Sequence, residues 1–133
     1  MYPDIHDYHA ITEYIAMQES LLTEKNTETI KETCRKMIDL VPRVITEGKE
    51  YNQSWNQASR EFHRGIEYPG DREDIVFVSP MPFKRLAIIY EKEGDLDKAI
   101  SVCLLALSLG LDNDGTKAGM TGRLEKLKKK AGC

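Results

Sequence analysis

Residues 81–111 constrain the fold of this chain most, because their apolar residues recur at helical spacing on both sides of a turn. At the turn, Gly94 suits the left-handed position that ends one helix, and Asp95 suits the capping position that begins the next. Large side chains dominate the first apolar stripe and small ones the second, so two helix axes can approach closely. The stretch therefore predicts two short antiparallel helices. The stripe residues are Phe83, Leu86, Ala87 and Tyr90, then Ala99, Cys103 and Ala106.

This arrangement resembles the tetratricopeptide repeat, a helix-turn-helix unit in which an aromatic residue, Leu, a small residue and Tyr occur at these offsets. The resemblance covers about 31 residues, and it departs from the family at Gly110-Leu111, where the family often has Pro. It implies an all-α array of about five helices packed as antiparallel hairpins. Residues 7–41 have apolar positions at matching offsets, so a second, degenerate repeat is left open there.

In that family, the first helix of each hairpin lines a groove that takes a peptide or a partner helix. The resemblance therefore implies a groove-facing set in this chain, consisting of Lys84, Arg85, Ile88, Glu91 and Lys92. Lys84 and Arg85 suit an acidic segment or a C-terminal carboxylate. Ile88, however, stands where carboxylate-binding members have asparagine, which favours a more apolar contact. The expected function is a protein-interaction or scaffold module without catalysis, and self-association as a homodimer is left open.

Helical periodicity extends over most of the remaining chain. Pro42 lacks an N–H group, so it is expected either to kink one long helix or to start a new one. Further along, Trp55 and Phe62 are predicted core residues, because large aromatic side chains are usually buried. The predicted helices are a pair in residues 7–41, one over 43–64 and a basic capping helix over 117–130.

Residues 65–80 interrupt the helical pattern and are predicted to form an irregular insert. The sequence Tyr68-Pro69-Gly70-Asp71 has the residues typical of a turn. Ile75–Val78 is a short apolar run with no room for a helix before Pro80, so an extended segment is expected. Such a segment either lies across an apolar surface, which is the favoured interpretation, or pairs with another chain.

The composition is that of a globular domain, since 41% of the 133 residues are hydrophobic and 31% are charged. A single domain over residues 1–133 is therefore expected. No apolar run approaches the roughly 18 residues that span a bilayer, and the acidic N-terminal sequence lacks the pattern of a signal peptide. Three widely separated cysteines without a paired motif indicate free thiols, which is typical of a cytoplasmic protein.

The net charge of −3 conceals a basic tail on an acidic body. Residues 117–133 carry six Lys/Arg and one Glu, whereas residues 1–116 carry 13 Lys/Arg and 21 Asp/Glu. The alternative function is therefore an accessory nucleic-acid-binding protein that contacts phosphates through this tail. A protein partner is favoured, because no aromatic residue interleaves with the charges to stack on bases, and lysines at a helix end also complement its dipole. The tail residues are Arg123, Lys126, Lys128, Lys129 and Lys130.

The histidines and glycines form no pattern typical of a catalytic or cofactor site. His6 and His9 are close in sequence but His63 is remote, so the three or four converging ligands of a zinc site are not expected. Residues Gly115–Gly119 contain Lys and Thr and could cradle an anion at the start of the last helix, although no strand precedes them. Neither a nucleophile elbow nor a phosphate-binding loop motif occurs. We therefore expect no metal, no cofactor and no enzyme activity.

Overall fold

A computed structural model describes residues 3–73 and 78–132, which form five α-helices and contain no strand. The all-α class expected from the sequence is confirmed. Among the described residues, none of the helices combines the length and the apolar character that a membrane span needs. A short 3-10 helix at Ile5–Asp7 precedes α1 (His9–Ser20), α2 (Thr27–Phe62), α3 (Met81–Lys92), α4 (Leu96–Ser108) and α5 (Gly119–Lys130).

The longest helix, α2, continues through Pro42 without a break. The helix predicted separately over 43–64 is therefore the second part of α2, and of the two alternatives for Pro42 the single long helix is correct. Proline costs this helix one backbone hydrogen bond. Val41 and Val44 are fully buried on either side of it, while Pro42 itself is exposed, so packing outweighs the local cost.

The chain divides into two compact units, and each is built from two separate segments. The first unit comprises Met1–Leu22 and Asp39–Val78, and the second comprises Thr23–Ile38 and Ser79–Cys133. Helix α2 contributes to both, because its first 12 residues belong to the second unit and the rest to the first.

In the first unit, a carboxylate from α2 caps the start of α1. No side chain at the start of α1 makes a capping hydrogen bond. Instead, Glu47 accepts hydrogen bonds from the backbone N–H groups of Ala10 at 3.2 Å and Ile11 at 3.1 Å. A negative charge at this position also interacts favourably with the positive end of the helix dipole. The capping interaction therefore joins two elements that lie far apart in sequence.

The described part of the predicted insert is held against α2 in the same unit. The side-chain amide of Asn56 donates to the carbonyl of Arg72 at 3.0 Å and accepts from its N–H at 2.7 Å. The Arg72 guanidinium lies 4.9 Å from the centre of the Trp55 ring. Trp55 is half-buried. Its ring also stacks with that of Tyr51, at a separation of 6.4 Å between the two ring centroids.

Of two sequence predictions for this region, the extended run is not tested and the buried Phe62 is contradicted. The extended run at Ile75–Val78 lies outside the described residues except for Val78. Phe62 is wrong as a core residue, because 69% of it is exposed. It is the last residue of α2. Among the aromatic contacts of the described residues, its ring contacts that of His63, in an edge-on arrangement with 5.1 Å between the ring centroids.

In the second unit, α3 and α4 form the helix pair predicted for residues 81–111. Gly94 has a φ of +79°, and the N–H of Asp95 donates to the carbonyl of Tyr90 at 2.9 Å, which closes α3. The carboxylate of Asp95 accepts from the N–H of Lys98 at 3.3 Å and caps α4. The local signals at this turn therefore act as predicted.

The first part of α2 joins this helix pair through the ring of Tyr90. Arg35 donates from Nε to the Tyr90 hydroxyl at 3.0 Å, and Lys31 lies 5.5 Å from the ring centre. Lys31 also forms an ion pair of 2.8 Å with Glu93. Because Lys31 is buried, this pairing supplies the counter-charge that burial requires.

Candidate functional site

An open pocket of about 320 Å³ lies beside α5 in the second unit. Helix α3 contributes one acidic residue to it, and the loop before α5 and α5 itself contribute the others. Three of the lining side chains are cationic, and most of the others are small residues, with Leu127 beside them. The lining residues are Glu91, Thr116, Lys117, Ala118, Gly119, Gly122, Arg123, Lys126 and Leu127.

Two glycines in the lining of this pocket allow close packing within the chain itself. Gly119 has a φ of +66°, and a Cβ atom there would lie 2.8 Å from both the carbonyl oxygen and the carboxylate of Asp112. A Cβ atom at Gly122 would lie 2.2 Å from the Cβ of Ala118. Both positions therefore exclude larger residues, and the loop can pack directly onto the first turn of α5.

The backbone N–H groups at the start of α5 already have acceptors within the chain. Asp112 accepts from Met120 through its carbonyl at 2.8 Å and from Thr121 through its carboxylate at 2.9 Å. The N–H of Gly119 donates to Thr116 Oγ1 at 3.2 Å. The N–H of Gly122 donates to the Ala118 carbonyl at 3.1 Å. These four N–H groups are therefore unavailable to an anion, and the hypothesis that Gly115–Gly119 cradles an anion stays a prediction.

The buried carboxylate of Asp114 binds one of the side chains that line the pocket, Arg123. The side chain of Asp114 has no exposed surface, and it accepts hydrogen bonds from the N–H of Thr116 at 2.9 Å and from the Thr116 hydroxyl. It also pairs with Arg123 at 3.1 Å. Burial acts to raise the pKa of Asp114, but the hydrogen bonds from Thr116 and Arg123 outweigh it and lower the pKa. The Asp114 carbonyl accepts from Lys84 at 3.1 Å, which joins α3 to the same loop.

The predicted groove residues of α3 separate into two groups. Lys84 and Glu91 lie toward α5, because Lys84 binds the Asp114 carbonyl and Glu91 forms an ion pair with Lys130. Ile88 is half-buried and lies one turn from each of them along the helix. Arg85 is half-buried as well, and its charge acts on Cys34 of α2 rather than on α5. Lys92 is exposed at the end of α3.

The predicted basic tail also separates into groups. Arg123 and Lys126 line the pocket, and Lys130 is held by Glu91. Lys128 and Lys129 are exposed and do not line it. The structure thus joins part of the predicted groove to part of the predicted tail, two sets that the sequence presents separately.

Two residues that shape the site were absent from the sequence predictions: Gly122 lines the pocket, and Asp114 holds Arg123 in place. Thr116 and Lys117 also line the pocket, and both belong to the loop Gly115–Gly119 that was considered for an anion. One sequence signal was available, since glycine is unfavourable inside a helix and Gly122 interrupts an otherwise regular helical pattern.

The histidines and thiols lie away from this pocket. His6 and His9 are exposed, and His63 Nδ1 lies 2.7 Å from the carbonyl of Ser59. Within residues 3–73 and 78–132, no three His, Cys, Asp or Glu side chains come together as metal ligands. Burial raises the pKa of Cys34 and raises that of Cys103 to about 11, so both thiols are protonated at neutral pH.

The chain matches no protein-family model, no curated protein and no solved structure. The tetratricopeptide resemblance therefore rests on the residues of 81–111 alone and stays a prediction. The geometry of the pocket is the main guide to function.

Proposed function

We propose that this chain is a protein-interaction module of the tetratricopeptide type, in which the pocket between Glu91 and α5 holds a segment of a partner protein. One observation carries the proposal: the pocket is open, and its lining combines three cationic side chains with small residues and Leu127. No catalytic role is proposed for any residue of the chain.

The size of the pocket favours a side chain of a larger partner over a free small molecule. Its volume of about 320 Å³ is at the low end of the range for small-molecule sites, which is about 300–1,000 Å³. Leu127 and Ala118 supply apolar contact in the lining, and Lys117 and Lys126 are exposed. This combination suits one or two anchor side chains from an extended segment or from a helix.

The alternative is accessory nucleic-acid binding by α5, supported by the exposed Lys128 and Lys129 at its C-terminal end. Against it, Lys130 is paired with Glu91, and no aromatic side chain lines the pocket to stack on a base. We also propose a reducing, cytoplasmic setting, supported by the buried free thiols of Cys34 and Cys103. A second copy of the chain is one candidate partner, supported by the exposed Leu104 and Leu105 of α4.

The proposal is tested by blocking the pocket. Peptides that bind the full chain would be selected from a random display library and measured against Ala118→Trp, because an indole at this exposed lining position fills the pocket. Ala16→Trp is the matched control, since Ala16 is an exposed alanine of α1 in the other unit. We expect Ala118→Trp to weaken binding about tenfold or more and Ala16→Trp to leave it unchanged. Equal binding by both variants, or no selected peptide, would contradict the proposal.

A further inference from the structure

We infer that the pocket selects its partner segment by acidic side chains within an extended stretch of that partner. This inference rests on the proposed function and adds the chemistry of the ligand to it. It follows from the charges that line the pocket and from the groups that are already satisfied there.

The pocket carries an excess of positive charge that the chain itself does not neutralise. Of the three cations in its lining, Arg123 is paired with Asp114, and the one carboxylate, Glu91, is paired with Lys130 outside the lining. Lys117 and Lys126 are exposed, and neither forms an ion pair with any described residue. The pocket is thus a cationic site on a chain whose net charge is −3.

Arg123 and Lys126 contribute to this charge in different ways. The Nη2 group of Arg123 donates to Asp114 at 3.1 Å and its Nε atom is buried, so these two groups do not face a ligand, and the guanidinium contributes through its position in the lining. Lys126 follows one turn later on the same helix, so both side chains belong to one face of α5. A carboxylate that enters beside Lys126 would gain a charge-assisted hydrogen bond from its exposed ammonium group, which is stronger than a bond between neutral groups.

Side chains, and not the end of the helix, supply the positive charge. The first N–H groups of α5 are bonded to Asp112, Thr116 and Ala118, so they are unavailable to a ligand. Lys117 and Lys126 are exposed, whereas Gly119 and Leu127 of the same lining are buried. An acidic side chain of an extended segment can therefore reach the two lysines from outside the chain.

A direct test compares two labelled ten-residue peptides that are acetylated at the N-terminus and amidated at the C-terminus. One alternates Glu with Ala, and the other has Gln in place of each Glu. Fluorescence polarisation would measure both against the full chain, against Lys126→Glu and against Lys128→Glu. The two variants change the net charge equally on the same helix, but only Lys126 lines the pocket.

We expect the Glu peptide to bind about tenfold more tightly than the Gln peptide. Lys126→Glu should weaken the Glu peptide about tenfold, Lys128→Glu should weaken it less than about twofold, and 0.5 M salt should weaken it by screening. Circular dichroism of both variants would verify that they are folded.

Four results would overturn the inference. Equal affinity for the Glu and Gln peptides would exclude selection by acidic side chains. Equal losses in the two lysine variants, or tighter binding of a single-stranded oligonucleotide than of the Glu peptide, would indicate diffuse attraction to a basic helix. A Gln peptide with a free C-terminal carboxylate that binds as well as the Glu peptide would assign the pocket to a chain end.

The failure of this inference is distinguishable from the failure of the proposed function. If library peptides without acidic residues bind and are sensitive to Ala118→Trp, the pocket is a peptide site of different chemistry and only the inference fails. If no peptide of either kind is sensitive to Ala118→Trp, both fail.

Discussion

The carboxylate of Asp114 is fully buried yet charged, because Thr116 and Arg123 supply hydrogen bonds that compensate for the loss of water. It holds Arg123 at the pocket without lining the pocket itself. A single side chain therefore couples the stability of the second unit to the geometry of the candidate site.

The substitution Asp114→Asn removes this charge and leaves the size of the side chain almost unchanged. We expect a loss of about 2 kcal/mol in the free energy of unfolding, because Arg123 then loses its buried counter-charge. Urea denaturation at pH 7 measures the loss. Asp39→Asn, an exposed change on α2, is the control and should stay within about 0.5 kcal/mol of the parent. An equal effect of both substitutions would contradict the role assigned to Asp114.

The contribution of Asp114 should also depend on pH. Its pKa in the folded chain is lowered from the ordinary value of 3.8, so the folded state binds this proton less readily than the unfolded state. The resulting stability is present above the unfolded-state pKa and is lost as the pH falls through the folded-state pKa. The difference in unfolding free energy between the parent and Asp114→Asn should therefore be smaller at pH 3 than at pH 7. A difference that grows at pH 3 would contradict this prediction.

At the scale of the element, α1 depends on a cap that α2 supplies. Glu47→Ala should cost about 1–2 kcal/mol, because the N–H groups of Ala10 and Ile11 lose their acceptor. Glu50→Ala is a matched control, since Glu50 is exposed on the same helix. Thermal unfolding followed by circular dichroism would compare the two. If Glu50→Ala is as damaging as Glu47→Ala, a general charge effect and not the cap would explain the loss.

Helix α2 tolerates Pro42 at a cost that substitution should remove. Pro42→Ala restores an N–H group at an exposed position where little packing is lost. We expect the free energy of unfolding to rise by about 1–3 kcal/mol. Pro69→Ala, in the exposed turn after α2, should not raise it, because that proline stiffens a loop. A destabilising effect of Pro42→Ala would mean that the packing of α2 requires a bend there.

The elements that could be predicted from the sequence are those with local signals. Gly94 and Asp95 act within a few residues, and they closed α3 and opened α4 as predicted. The continuity of α2 could not be predicted, because the burial of Val41 and Val44 that opposes the proline penalty depends on distant residues. Phe62 was misjudged for a similar reason, since residue type alone does not show whether a neighbouring element covers it.

The pocket illustrates a different limit. Its lining comes from Glu91, from the loop at 116–118 and from α5, and periodicity cannot show that these segments meet. The sequence did contain Lys126 and Arg123 as a charged set and Glu91 as a groove residue. It contained no local sign that Lys130 pairs with Glu91 or that Asp114 is buried beneath Arg123.

At the scale of the whole molecule, the two units alternate along the chain, so no single cut isolates one of them. A fragment of residues 79–133 lacks Thr23–Ile38, whose Cys34 and Met37 are fully buried. We expect this fragment to be less helical and less stable than the same residues in the full chain, because its partners for Tyr90 and Glu93 are missing. Circular dichroism would measure both properties.

Adding a peptide of residues 23–38 to that fragment should restore helicity, whereas a scrambled peptide of the same composition should not. The fragment reaching native helicity on its own would contradict the assignment of Thr23–Ile38 to the second unit.

The alternation of the units also has a consequence for synthesis on the ribosome. The segment Thr23–Ile38 is translated before the other part of its unit, Ser79–Cys133. The roughly 95 residues from 39 to 133 take about 5–20 s at typical elongation rates. Until Ser79–Cys133 has emerged, the side of α2 that carries Cys34 and Met37 has no partner to cover it. A nascent chain therefore presents this apolar surface to chaperones for seconds, and a slower codon after residue 78 would lengthen that exposure.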